Sequence, residues 1–174
     1  EEGMPLNAAN PRPNNIYGQI IRWDEGGDAT AGTFAWDIYA LCGNPIAHPE
    51  GVNRGTPNIT ADNTFNSPDG LGFDRAGRLW ILTDGKYSNK GDYAGQGNNQ
   101  MLVGDPISGE IRRFMVGPKS CELTGITFTP DYKTMFVNVQ HPGEEGDSHF
   151  PNNSPRPRSS VLMITREDGG VIGA

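Results

Sequence analysis

Apolar residues along this chain come in short runs of β-branched and aromatic side chains, many alternating with polar ones, which is the period-two pattern of half-buried strands. GQIIRWD (18–24), TFAWDIYAL (33–41), GLGFD (70–74), RLWILTD (78–84) and QMLVGD (100–105) read as strands. So do GEIRRFMVG (109–117), GITFT (125–129), TMFVNVQ (134–140), SVLMITRE (160–167) and GVIG (170–173). Between them lie DEGGDATAGT, DRAGR, DPISGE, TPDYK and EDGG, all rich in the residues that make turns. No stretch carries apolar positions at helical spacing over a useful length. The fold class is all-β.

The strands repeat as a unit. GLGFDRAGRLWILTD aligns with GITFTPDYKTMFVNVQ, so that Gly70 matches Gly125, Leu71 matches Ile126, Phe73 matches Phe128 and, after one inserted residue, Trp80 matches Phe136. Each of these hairpins is followed by a second one with a polar turn, QMLVGDPISGEIRRFMV after the first and SVLMITREDGGVIG after the second. The segment NIYGQIIRWDEGGDATAGTFAWDIYAL has the form of such a second hairpin. The chain therefore divides into a half unit at 18–41 and whole units at 67–117 and 121–173, each whole unit of four antiparallel strands. Four-stranded repeats of this size are β-propeller blades, with a β-sandwich as the alternative architecture. About two and a half blades cannot close a ring that takes typically four to eight. The chain begins in mid-pattern and without an initiator Met. It is expected to be the C-terminal segment of a longer protein, or to complete its ring by self-association, and to expose apolar blade faces when alone.

Composition narrows the partners. Hydrophobic residues make up 34% of the chain, against 24 glycines and 14 prolines, which favours turns over helices. A net charge of −7 argues against nucleic acid and against an anionic membrane surface, and is compatible with cation binding. No apolar run approaches the roughly 20 residues of a membrane-spanning helix. The first residues carry neither the basic nor the apolar region of a signal peptide, so any export signal lies outside this sequence. Cys42 and Cys121 match no CxxC or zinc spacing and read as separate thiols, although their spacing leaves a pairing open.

Blade geometry gathers certain acidic residues at one place. The start of a blade's first strand and the end of its second share a rim near the central channel. Asp69 precedes the first strand of its unit and Asp84 ends the second; Glu122 and Thr124 stand at the start of the next unit, and Gln140 and His141 at its second strand's end. The long connections YSNKGDYAGQGNN and PGEEGDSHFPNNSPRPR rise from the same rim, where binding groups are commonly carried. Each residue has a plainer reading as well: Asp69 in SPDG and Asp84 in TDG as turn residues, and His141 as an ordinary surface histidine. Glu122 is harder to explain so, because CELTG leads a carboxylate into a buried strand, where an unpaired charge is costly. Carboxylates of this kind suit hard cations, calcium above all, or ferric iron if a thiolate joins them. Asn98, Asn99 and Gln100 either add amide oxygens or are solvated loop residues.

At the level of whole strings, NNIYGQIIRW, FNSPDGLGFDRAGRLWI, GNNQMLVGDPISGEIRRFMVGPKSCELTGITFTPD, MFVNVQHPGE and PRSSVLMITREDGGVIG resemble the C-terminal part of the PhoX-type alkaline phosphatases. The resemblance runs over nearly the whole chain and is most specific in CELTGITFTPD and QHPGE. It implies a six-bladed propeller, exported by the twin-arginine route to the periplasm or outside the cell, that hydrolyses phosphomonoesters at a cluster of calcium and ferric iron in the channel mouth. It also implies that Asp69 and Glu122 bind metal, whereas Asp84 and His141 rest on rim geometry alone. The N-terminal blades, which in that family supply a cysteine ligand, further carboxylates and an arginine for the phosphate, are absent here, so the chain alone is expected to be inactive. The side chain of Cys121 should point to the opposite side of the strand from Glu122. Two other readings stand beside this one: a calcium-dependent lactonase or esterase of the gluconolactonase-like propellers, and a non-catalytic propeller segment for assembly or binding.

Overall fold

The computed structural model describes residues 5–153 and 155–174. A hairpin of β1 (Gln19–Glu25) and β2 (Phe34–Leu41) comes first. A four-stranded meander follows, of β3 (Pro68–Phe73), β4 (Leu79–Thr83), β5 (Gln100–Gly104) and β6 (Ile111–Val116). The third sheet holds β7 (Glu122–Phe128), β8 (Thr134–Gln140) and β9 (Ser160–Thr165). All pairings are antiparallel between neighbours in sequence. Helix among the described residues is limited to two short 3-10 turns, Val52–Arg54 and Gly91–Tyr93.

The hairpin turns explain many of the chain's aspartates. Asp28, Asp74, Asp105, Asp131 and Asp168 each accept a hydrogen bond from the backbone amide two residues on, through Thr30, Ala76, Ile107, Lys133 and Gly170. This closes a local ring that a carboxylate holds well. Asp74 is the most deeply committed. It also takes the Arg78 Nε donor at 2.7 Å and the Trp80 indole Nε1 at 3.0 Å, which fastens the β3–β4 turn to the core. Burial alone would raise its pKa, but these donors hold it below the ordinary value.

Three sheets rather than two enclose two cores, which rules out the sandwich. Ile20, Tyr39 and Ala40 of the first sheet meet Leu79, Ile81, Leu102 and Ile111 of the second, with Tyr17, Ile59 and Phe65 filling in from the connecting segments. Trp80, Leu82 and Met101 point the other way, onto Leu123, Met135, Val137 and Val139 of the third sheet. Strand β4 therefore buries every residue, its alternate side chains serving two cores, and this is why LWILT lacks a polar face. At roughly 1.5–3 kcal/mol for each fully buried large apolar side chain, β4 is a principal anchor of the fold. The outermost surfaces stay apolar and open: Trp23, Phe34 and Trp36 on the first hairpin, Val161 and Met163 on β9.

One strand differs from expectation. Residues 170–173 do not pair, so the third sheet has three strands instead of four. The turn at Asp168–Gly169, clamped by Arg166, sends the chain inward. Ile172 then donates its amide to the Tyr132 carbonyl at 2.9 Å and buries its side chain in the second core, a better use of that residue than an edge strand.

Candidate metal centre

Strand ends place the site. Register pairs Pro68 with Thr83 and then Gly70 with Leu82, so Asp69 is bulged out of β3 at the point where β4 finishes. In the third sheet Glu122 opens β7 opposite Gln140, which closes β8. Asp84 and His141 are the residues immediately after β4 and β8. Among the described residues, Asp69 and Asp84 accept none of the turn-closing amide bonds that Asp28, Asp74, Asp105, Asp131 and Asp168 accept.

Asp84, Glu122 and His141 each offer a ligand atom within 4.8 Å of the others. Glu122 is buried, and its Oε2 accepts the Gln140 Nε2 donor at 2.7 Å and lies 3.5 Å from His141 Nε2. The other imidazole nitrogen, Nδ1, lies 3.6 Å from Glu144 Oε2, and the His141 backbone amide is held by Ser159 Oγ at 3.0 Å. Asp84 and Asp69 are exposed. The Glu122 carboxyl titrates above the ordinary range because of burial first, then the negative charges of Asp84 and Asp69, with His141 opposing. Asp69 thus lies within electrostatic reach of the group but is not among the three residues whose ligand atoms converge. A cation between these carboxylates would offset the burial and the repulsion together, and an oxygen–oxygen–nitrogen donor set accepts either a hard ion or a first-row metal.

Sulfur contributes nothing here. Cys121 packs into the second core, on the side away from Glu122, and burial pushes its thiol up to about 12. Cys42 is buried in the first core and is raised further still; both cysteines are free.

The spacing between Asp84 and Glu122 depends on a residue that the sequence left open as either an amide-oxygen ligand or a solvated loop residue. Asn99 is buried, and its Oδ1 accepts from Thr83 Oγ1 at 2.8 Å and from the Gly85 amide at 2.7 Å. Its Nδ2 donates to the Gly85 carbonyl at 3.1 Å and the Cys121 carbonyl at 2.8 Å. It ties the segment carrying Asp84 to the residue before Glu122, and no atom remains for a metal. Gln100 is likewise committed, donating to the Thr64 carbonyl and accepting from Arg113 Nε. Asn66 completes the support by gripping both the amide and the carbonyl of Lys86. Gly85 passes so close that an added Cβ would collide with Asn66 Oδ1. On the other side of the site Gly125 has φ of +61°, which lets β7 bulge just past Glu122.

The 85–99 connection is pinned in place. Tyr17 donates its hydroxyl to the Asp92 carbonyl at 2.6 Å, Asn44 donates to the carbonyls of Asp92 and Ala94, and His48 meets the Asp92 carboxylate at 3.0 Å.

A solved structure, Pseudomonas fluorescens PhoX in complex with vanadate, a transition state analogue, is 61% identical to this chain with a TM-score of 0.97. The likeness covers 100% of this chain and 30% of that one, so the chain spans under a third of that relative's length. No curated protein matches. The family model for alkaline phosphatase PhoX matches residues 1–143, which decides between the phosphatase and lactonase readings: the chain belongs to the alkaline phosphatase PhoX family.

Proposed function

We propose that this chain carries part of the metal site of a phosphomonoesterase, the rest being supplied by blades that lie N-terminal to it in the full-length protein. The convergence of Asp84, Glu122 and His141 at one rim is the observation that carries this reading. Vanadate bound to the relative points the same way, since it takes the geometry of a phosphoryl group in flight.

Glu122 is the anchoring ligand, because Gln140 fixes its carboxylate and the surrounding core excludes competing water. Asp84 is the second, set at its distance by Asn99, and His141 adds a nitrogen. Asp69, exposed one bulge away, would bind a neighbouring ion or a water of the same ion. A bound cation supplies the charge that polarises the phosphoryl oxygens and eases departure of the leaving alkoxide. Calcium suits the carboxylates. Ferric iron, with a thiolate from outside this chain, follows from the family resemblance, as do export to the periplasm or cell exterior and inactivity of this chain alone. Without cations the three carboxylates would repel a phosphate dianion.

Acidification should weaken the site early. Since the Glu122 pKa is raised, protons compete with the cation from a pH above the ordinary carboxylate range, and affinity falls as pH drops through that raised value. The test is phosphate release and metal content in the full-length parent. Glu122→Gln is expected to lower bound metal and activity together, and unchanged metal content with unchanged activity would defeat the assignment.

A further inference from the structure

Beside the metal centre lies a cavity of about 520 Å³, between the segment before the first hairpin and the rim of the second sheet. Its floor and one wall are amides. Asn15 donates to Asn10 Oδ1 at 2.9 Å and to Gln19 Oε1, while accepting from Arg12 Nε at 2.8 Å and the Gly18 amide at 3.0 Å. Gln19 donates onward to the Ala9 carbonyl at 2.8 Å. Arg12 is fully buried behind this wall and is bonded to the Gly18 carbonyl at 2.8 Å, so the amides are locked before any ligand arrives. Ile16 and Tyr93 provide apolar backing.

The opposite wall belongs to the metal centre's own supports. Ser67 and Pro68 line the cavity, and Ser67 accepts the Asp84 amide at 3.1 Å through its carbonyl. Lys86, two residues past Asp84, lines it too, with its backbone gripped by Asn66 and its side chain in no ion pair among the described residues. It is the one charged residue among those that line the cavity. Lys86 therefore gives an anion its one opposite charge in this cavity, beside preformed amides. The volume is in the range of small-ligand sites and suits a group of several carbons.

We propose that this cavity receives the alcohol portion of the phosphomonoester, and that Lys86 makes it select leaving groups bearing a second anionic group, a carboxylate or another phosphate. The phosphoryl group would sit on the metals, the leaving alcohol's carbon skeleton against Ile16 and Tyr93, and its hydroxyls on the carbonyl oxygens of Asn10 and Gln19, each of which accepts one hydrogen bond from Asn15. This rests on the phosphatase reading above.

The experiment compares two phosphomonoesters of equal carbon count in the full-length parent: 3-phosphoglycerate, whose leaving alcohol carries a carboxylate, and glycerol 1-phosphate, whose leaving alcohol is neutral. The readout is the ratio of their kcat/KM values in wild type, Lys86→Met and Lys86→Arg. Because Lys86 is exposed and its pairing screened, Lys86→Met is expected to lower the ratio by about three- to tenfold, mainly through KM for the carboxylate ester, while Lys86→Arg retains most of it. A ratio identical in wild type and Lys86→Met would overturn the subsite. Release of phosphate from neither ester by the wild-type parent would overturn the phosphatase reading beneath it.

Discussion

Asn99→Ala isolates the support of the site from its ligands. The change removes four hydrogen bonds, two accepted at 2.7–2.8 Å and two donated at 2.8–3.1 Å, in a position that is 3% exposed. The Thr83 hydroxyl can turn to another acceptor, which leaves the Gly85 amide and the carbonyls of Gly85 and Cys121 without a partner. At about 1 kcal/mol for each net bond lost, and somewhat more where a buried group is orphaned, the cost is about 3–4 kcal/mol. Part of that falls on global stability. The rest frees Asp84 relative to Glu122, so calcium affinity should drop although no ligand has been touched. Calcium titration and thermal unfolding of the full-length parent, with and without calcium, measure both. Asn99→Asp keeps the accepted bonds but turns two donated ones into repulsions against carbonyls, and should fare no better. If Asn99→Ala unfolded at the wild-type midpoint and bound calcium with wild-type affinity, the staple would be irrelevant to the site.

Other expectations follow from the same contacts. Asp74→Ala strands the Trp80 indole and a guanidinium and should cost about 3–4 kcal/mol, read by urea unfolding. Because the Asp74 pKa is depressed on folding, its contribution is present above the unfolded carboxyl value and lost as pH falls through the folded one. Wild type should therefore approach the variant's stability only under strongly acidic conditions. Gly85→Ala, forced against Asn66, should lower calcium affinity more than it lowers the unfolding midpoint. Cys42 and Cys121 should label with a thiol reagent only on unfolding at neutral pH, and rapid labelling of the folded protein would contradict their burial.

Much of the fold was legible because periodicity two and turn chemistry agree along nearly the whole chain. The hairpins at 70–84 and 125–140 fall where their alternation and their DRAGR and TPDYK turns put them. The last strand failed because GVIG is too short for alternation to distinguish an edge strand from a single apolar anchor, and the burial of Ile172 decided it. At the site, reading Asp84 and His141 as rim residues followed from antiparallel geometry, which brings a strand's end beside its partner's start. The convergence of Asp84, Glu122 and His141 did not follow, because it depends on the separation of two sheets. That separation is set by Trp80, Leu82 and Met101 against Leu123 and Val139, a packing distance that no local pattern encodes. The role of Asn99 lay outside both sequence readings, ligand or solvated loop residue, for a similar reason: an asparagine before a strand looks the same whether its amide meets a metal, solvent or two backbones.

The most direct test of the account is a double-mutant cycle on calcium affinity in the full-length parent, using Asp84→Asn and Glu122→Gln. If both carboxylates hold one ion, the double variant should lose clearly less than the sum of the single losses, by an interaction of about 1 kcal/mol or more. Losses that add independently would contradict a shared ion.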